Sequence, residues 1–432
     1  MKRLALITLL AASMAYAGWM RTYGSSEKGE LGRCAQQTTD GGYIVSGVIG
    51  GSPGWLIKTD SLGEIMWADT IGGGKWVEQT DDGCYILAGV PDLTKTDSSG
   101  DTLWSKDYGF YSRCVRPTQD GGFILTGATV DYLGKLVLIK TDSTGDSLWF
   151  RSYLLSGWTY SLGHFVESSS DGGYLAVGYL GDTTFENAKQ AFWLLKTDSL
   201  GEIQWSYVQG GENWGDYEIG RCVRETSEGQ FIALANFGLL KIDVSGDTLW
   251  THEYRNGSHV QETVTLNYVL TGELLAQRCL NDNTQGSTWL IKTDSNGIAK
   301  WERSYGSGSL NCVSKTNDKG FILTGEKDGD LCLIKTDSLG LLGIIENPIV
   351  ESDNGWNVPH SIGSYVVLHY QGLPQGFHAN VFDVSGRKVD RIRGGGIEGA
   401  MTWGINYPPG VYFIQALDSR NQLKTAKVVL VR

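Results

Sequence analysis

Short runs in which apolar and polar residues alternate dominate the chain, as in Tyr43-Ile-Val-Ser-Gly47 and Trp55-Leu-Ile-Lys-Thr-Asp60, and no comparable stretch carries a 3.6-residue period. Such alternation predicts half-buried strands rather than helices. The first stretch holds four of them, Cys34 to Thr38, Tyr43 to Gly47, Trp55 to Thr59 and Glu64 to Thr70. Asp40-Gly-Gly42 separates the first two and Asp60-Ser-Leu-Gly63 the last two. Both stretches supply residues that tolerate positive φ, so both connections read as tight hairpins.

This unit recurs. KTDSLGEIMW (58–67) returns as KTDSSGDTLW (95–104), KTDSTGDSLW (140–149), KTDSLGEIQW (196–205), KIDVSGDTLW (241–250), KTDSNGIAKW (292–301) and, without its Trp, KTDSLGLLG (335–343). The seven aspartates from Asp60 to Asp337 lie about 46 residues apart on average. The Asp-Gly-Gly block also returns before each copy, and for the sixth its counterpart is read as TGELLAQ (271–277). A unit of about 40–45 residues making four antiparallel strands is a propeller blade. The expected fold is therefore all-β, a seven-bladed β-propeller over residues 18–343. GWMRTYG (18–24) matches WERSYG (301–306), so the strand Trp19 to Tyr23 is expected to complete the last blade and close the ring. The repeats resemble those of seven-bladed propellers, most closely the tryptophan-docking repeats of quinoprotein-like propellers. There an Asp, a turn Gly and a Trp four residues after it staple neighbouring blades, a spacing kept here from Gly63 to Trp67, Gly100 to Trp104 and Gly145 to Trp149. The hairpin here is one residue tighter between Asp and Gly. The resemblance implies blade staples and does not imply quinone use, because the repeat carries the fold and not a cofactor site.

Composition agrees with many short strands and tight turns: Gly is high at 59, Pro low at 8, and 15 Trp, 20 Tyr and 12 Phe can fill a core. The net charge of −12 argues against nucleic acid as a partner. Charge is also uneven. Eight basic and six acidic residues from Asn347 onward give that stretch +2, which leaves −16 between the leader and the tail. The shift marks a domain boundary near residue 345. MKRLALITLLAASMAYA (1–17) reads as a secretory signal peptide with an Ala-x-Ala cleavage site, and no later segment approaches a transmembrane length.

Beyond a linker at 344–356, residues 357–432 read as a small antiparallel, immunoglobulin-like sandwich, with turns at Ser385-Gly386 and Pro409-Gly410. The segment resembles the C-terminal sorting domain of proteins exported by the type IX secretion system of Bacteroidetes-like bacteria. The residues that carry the likeness are the hairpin Asp383-Val-Ser-Gly386-Arg-Lys-Val389, the strand Gly410-Val-Tyr412-Phe413 and the ending Lys427-Val-Val-Leu-Val-Arg432. It implies recognition by outer-membrane secretion machinery and a secreted or outer-membrane-surface location in a Gram-negative-type bacterium. An ordinary immunoglobulin-like accessory module fits the same pattern.

The seven cysteines cannot all pair within one chain. Cys34, Cys114, Cys222 and Cys312 hold one slot in four blades, filled by Trp76 and Phe165 in two others, so the slot reads as apolar. Thiols on separate blades are expected to lie too far apart to bridge. No Cys or His spacing matches a metal or cofactor motif, and none is expected.

Loops between second and third strands, and between blades, vary in length, whereas the hairpins on the opposite face are nearly uniform. Binding is therefore expected on the variable face. Its long blade-four loops carry Trp158, Tyr160, Asp182, Glu186, Asn213, Trp214, Asp216 and Tyr217. Aromatic planes beside carboxylates and an amide suit a glycan or protein ligand, and the aromatics can equally pack the loops themselves. A carboxylate pair among them would alternatively serve a polysaccharide hydrolase or lyase. No Ser-elbow or Walker-type loop stands in a strand-to-helix context, and no catalytic residue is assigned.

Overall fold

The computed structural model describes residues 18–24, 29–50, 54–71, 74–131, 133–182, 189–211, 217–254, 257–263, 268–274, 287–342, 355–357, 362–363, 366–373, 376–397, 399–417 and 423–430. The leader at 1–17 lies outside them. All regular structure among these residues is strand, and no helix is long and apolar enough to cross a membrane. Contacts divide the chain into two compact units, Met1–Gly343 and Ile344–Arg432.

Among the described residues the first unit holds seven four-stranded antiparallel sheets. The first consists of Glu30–Gln37, Tyr43–Ile49, Gly54–Thr59 and Ile65–Ile71, in that order, and the next five repeat the plan. The seventh takes three strands from Ser309–Lys315, Phe321–Lys327 and Asp330–Thr336, and its fourth is Trp19–Tyr23, with Trp19 opposite Lys335 and Tyr23 opposite Leu331. The innermost strand of each sheet touches that of the next, and the seventh touches the first, so the sheets stand radially around an axis.

The repeated residues explain how the sheets hold together. Each Asp-Ser-x-Gly hairpin is fixed by its aspartate: Asp60 Oδ1 accepts hydrogen bonds from the backbone N–H of Leu62 and of Glu64. The hairpin glycine has φ +79° at Gly63, and a Cβ there would lie 2.6 Å from the Trp19 ring. Trp67 covers Gly100, Trp104 covers Gly145, Trp250 covers Gly297 and Trp301 covers Gly340 in the same way. The outer-strand tryptophan of one sheet therefore lies on the turn glycine of the next, and Trp19 does this for the first sheet. A tyrosine adds a hydrogen bond to the same glycine: Tyr23 to Gly63 O at 2.7 Å, Tyr153 to Gly201 O at 2.7 Å and Tyr305 to Gly340 O at 2.8 Å. Within a sheet, the lysine of one motif reaches the aspartate of the other, as in Lys58 to Asp40 (2.8 Å), Lys140 to Asp120 (2.8 Å), Lys196 to Asp171 (2.7 Å) and Lys335 to Asp318 (2.6 Å).

Two expectations for the first unit are corrected. The sixth copy of the Asp-Gly-Gly strand is not TGELLAQ: Tyr268–Leu274 pairs with Gly257–Glu262, so Tyr268 to Gly272 match Tyr43 to Gly47. The sixth copy lacks the Asp-Gly-Gly turn, which removes the cue that locates the others. Cysteines of different sheets do meet, with Cys34 Sγ and Cys312 Sγ 4.0 Å apart. The slot residues run Cys34, Trp76, Cys114, Phe165, Cys222, His259 and Cys312, small alternating with large. Around an odd number of sheets that alternation brings two small residues side by side, and they are Cys312 and Cys34. The six described cysteines are free thiols.

In the second unit a three-stranded sheet (Gly355–Asn357, Val366–Gln371, Gly399–Trp403) and a five-stranded sheet share a core that includes Leu368, Phe377, Val381, Trp403, Ile414 and Val428. Trp356, the last residue of the expected linker, is buried in this core. The unit is not wholly antiparallel as expected, since Ile362–Gly363 runs parallel to Leu423–Leu430. Of the residues that carry the sorting likeness, Gly386 (φ +79°) ends the Asp383 turn, Gly410 opens its strand, Tyr412 is buried and donates to Pro408 O at 2.9 Å, and Lys427 is exposed opposite Phe413. Arg432 lies outside the described residues.

Candidate functional site at the centre of the ring

The innermost strands build the centre of the first unit in tiers. In six of the seven sheets the pairing of the first two strands shifts register just before the slot residue, between Gly32 and Cys34, Ser112 and Cys114, Gly163 and Phe165, Gly220 and Cys222, Gly257 and His259, and Leu310 and Cys312. Such a bulge breaks strict alternation and re-aims the extra side chain. The residues so turned are Arg33, Arg113, His164, Arg221, Ser258 and Asn311, and all six line one central cavity of about 570 Å³. Lys75, which precedes Trp76, joins them from the second sheet.

One step along the axis the large slot residues form a plug. Trp76, Phe165 and His259, from the second, fourth and sixth sheets, meet with ring centres 5.1 to 5.8 Å apart. Burial and then the Arg224 and Arg116 guanidinium groups hold His259 well below its usual pKa. Beyond the plug lies a charge network, itself lining a cavity of about 260 Å³: Arg116 pairs with Glu78 and, at 3.2 Å, with Glu167, which also receives Arg224 at 2.6 Å. The two arginines and two glutamates balance in charge, and Arg224 Nε alone of their polar atoms is buried without a hydrogen-bond partner among the described residues.

The cavity tier is different. Burial, followed by repulsion from one another, lowers the pKa of Arg33, Lys75 and Arg221; Arg113 is lowered by burial alone, with Tyr179 acting in the opposite direction. No carboxylate is among the residues lining the cavity. Two of the bulge residues are tied to the neighbouring sheet: His164 Nδ1 bonds Gly220 O at 2.8 Å and Asn311 donates to Gly32 O at 2.8 Å. Among the described residues the four cations have no such tie. His164 is held down to about 3, first by burial and then by Arg113 and Arg221.

Four of the residues expected to bind, Trp158, Tyr160, Asp182 and Tyr217, are among the described residues. Trp158 sits against Gly211 and Ala191, with the Lys189 ammonium 5.3 Å from its ring centre, so its surface packs the loops. Tyr160 accepts a hydrogen bond from Gln190 at 2.9 Å and meets Tyr179 edge-on at 5.9 Å. Tyr179 in turn contacts His164 at 5.6 Å, so an aromatic path leads from the fourth-sheet loops to the cavity. Tyr217 is half exposed and bridges to Gln190. Its carbonyl receives Asn236 Nδ2, and Asn236 also lines the cavity. Asp182 ends its strand opposite Lys189. Glu186, Asn213, Trp214 and Asp216 lie outside the described residues. The cavity cations were not anticipated from the sequence, although Gly-Arg-Cys at 32–34 and 220–222 and Ser-Arg-Cys at 112–114 carry the signal.

No protein-family model matches the sequence, and neither does any curated protein. Solved structures do match. The WD40 domain of Neurospora crassa Pan2 aligns with a TM-score of 0.51 at 10% identity, over 74% of this chain and 96% of that one. BamB from Moraxella catarrhalis aligns at 0.43 and 11% identity, over 74% and 98%. PorZ, a surface component of the type-IX secretion system of Porphyromonas gingivalis, aligns at 0.36 and 9% identity, over 96% of this chain, which spans 58% of PorZ. With radial four-stranded sheets and the Pan2 likeness, the fold of the first unit is that of a β-propeller. At these identities the likeness defines the fold and no activity.

Proposed function

We propose that the protein is a secreted or cell-surface, seven-bladed β-propeller that binds a glycan or protein ligand on its variable-loop face. Its C-terminal immunoglobulin-like unit serves as the sorting domain that engages outer-membrane secretion machinery. One observation carries the binding reading: the two faces differ in kind. On the uniform face, repeated motifs satisfy their own charges. The other face opens on a 570 Å³ cavity whose lining includes cations, amides and aromatic rings. A lining without a carboxylate favours binding over glycoside cleavage by a carboxylate pair. The export reading is supported by the leader pattern and by the tail residues Gly386, Gly410, Tyr412, Lys427 and Arg432.

A glycan and protein array probed with wild type and with the Trp214→Ala/Tyr217→Ala variant tests the first part, and a product assay on any bound glycan separates binding from turnover. Specific binding lost in the variant supports the reading; binding unchanged in the variant rejects the blade-four loops as the site. For export, Lys427→Glu is exposed and spares the sheet, and it should hold the chain back from the cell surface. Normal surface delivery of that variant would argue against the role of this residue in sorting.

A further inference from the structure

We infer that the central cavity is an anion site that takes a ligand bearing two or more carboxylate, sulfate or phosphate groups. The inference names the ligand chemistry of the variable-loop face and so rests on the reading of that face as the binding one.

The argument begins with the bulges. A register shift at the same place in six sheets aims the residue before each slot into the cavity, and in three of them that residue is arginine. Lys75 adds a fourth cation. In a chain with 48 acidic residues against 36 basic ones, four cations converge where no carboxylate lines the wall. The contrast with the tier beyond the plug is direct: there, arginines occupy the same strands and meet glutamates, Arg116 with Glu78 and Arg224 with Glu167. The chain thus places acids against its channel arginines at one level, whereas at the other no acid lines the central cavity and Glu30 and Glu326 stand in an adjoining one that Arg33 and Lys75 also line.

Donors dominate the wall. Arginine and lysine only donate, and Arg33 Nε, like Arg224 Nε beyond the plug, is buried without a partner among the described residues. A ligand that completes this wall must bring acceptor oxygens and negative charge together, which is the chemistry of oxyanions. Three arginines and a lysine spread around the cavity match more than one anionic group, and the volume admits a molecule the size of citrate or an acidic oligosaccharide fragment. Without ligand the cations repel one another, so the site stands under electrostatic strain that an anion relieves.

Isothermal titration of the full secreted chain at low salt tests this, with citrate, inorganic phosphate and trigalacturonate as probes and maltotriose as the neutral control. At least one anion should bind and maltotriose should not. Binding should weaken with added salt, and about tenfold or more in Arg113→Gln and in Arg221→Gln, the factor expected for a lost charged hydrogen bond. Citrate or trigalacturonate binding without phosphate assigns carboxylate chemistry; phosphate binding assigns a compact oxyanion; both support the site. Absence of binding by all three anions, equal binding of maltotriose, or affinities unchanged in both arginine variants would overturn it. Thermal midpoints of the unliganded variants guard against misfolding: both should equal or exceed wild type, because each substitution removes repulsion, and a fall in both would mark the arginines as structural and overturn the proposal. A flat titration beside intact array binding rejects only the anion site. A saturating titration beside an array that binds nothing rejects only the glycan-or-protein reading.

Discussion

The two ends of the innermost strands solve the same electrostatic problem in opposite ways. At the hairpin end, the lysine of the repeated motif meets an acid of the same sheet in six of the seven copies, as Lys58 meets Asp40 and Lys335 meets Asp318, while Lys292 of the sixth reaches Ser338 O at 3.4 Å. At the cavity end, Arg33, Lys75, Arg113 and Arg221 meet no acid of the lining. The paired end is repeated nearly unchanged because every sheet needs the same fastening. Unpaired charge costs stability and persists where something else offsets it.

Substitutions should separate the two ends. The largest effect belongs to the hairpin end. Trp19→Ala strips a buried ring from Gly63 and Tyr43, and should cost about 3–4 kcal/mol in denaturant unfolding. A loss under about 1 kcal/mol would mean the first and seventh sheets are fastened otherwise.

A pH titration of stability probes the axis between the ends. His164 and His259 stay neutral in the folded protein far below the ordinary histidine pKa of about 6.5. From about pH 6.5 down to pH 3 the unfolded chain therefore binds more protons, and stability falls as pH drops through that window. Each histidine contributes a slope of up to about 1.4 kcal/mol per pH unit. His259→Phe, which places in the sixth sheet the residue of the fourth, should remove its share of the slope; an unchanged slope would contradict a buried neutral histidine.

Smaller effects come from single charges. Asp171→Asn leaves buried Lys196 without its partner and should cost about 1–2 kcal/mol, below the value for a fully buried pair because Asp171 is half exposed. The depressed Asp40 and Asp120, each held to about 2, lose their contribution as pH falls below about 4. Smallest is Arg33→Gln at the cavity, where unfolding free energy should stay level or rise by a few tenths of a kcal/mol.

What the sequence disclosed follows the same division. The hairpin end was legible because its cues are local: Asp-Gly-Gly and Asp-Ser-x-Gly name their own turns, and the match of Trp19-Met-Arg-Thr-Tyr23 to Trp301-Glu-Arg-Ser-Tyr305 located the fourth strand of the seventh sheet. Where the Asp-Gly-Gly cue is missing, before Tyr268, the sequence pattern misplaces the second strand of the sixth sheet. The cavity end was hidden for a different reason. Strict alternation sends Arg33 to the side opposite Cys34, and only the bulge returns it to the channel. Contact of Cys34 with Cys312 likewise needs the ring, since 278 residues separate them. Of the expected blade-four residues, Tyr160 reaches this cavity through Tyr179 and His164, and Trp158 and Tyr160 spend their surfaces largely on packing.

The central claim is that paired charges serve the fold and unpaired ones serve a ligand. Its most direct test is a set of thermal midpoints for wild type, Asp171→Asn and Arg113→Gln, each with and without citrate. The account predicts that Asp171→Asn lowers the midpoint and keeps the rise on adding citrate, whereas Arg113→Gln leaves the unliganded midpoint level or higher and loses most of that rise. An Arg113→Gln midpoint lowered as far as that of Asp171→Asn, with the citrate response intact, would contradict it.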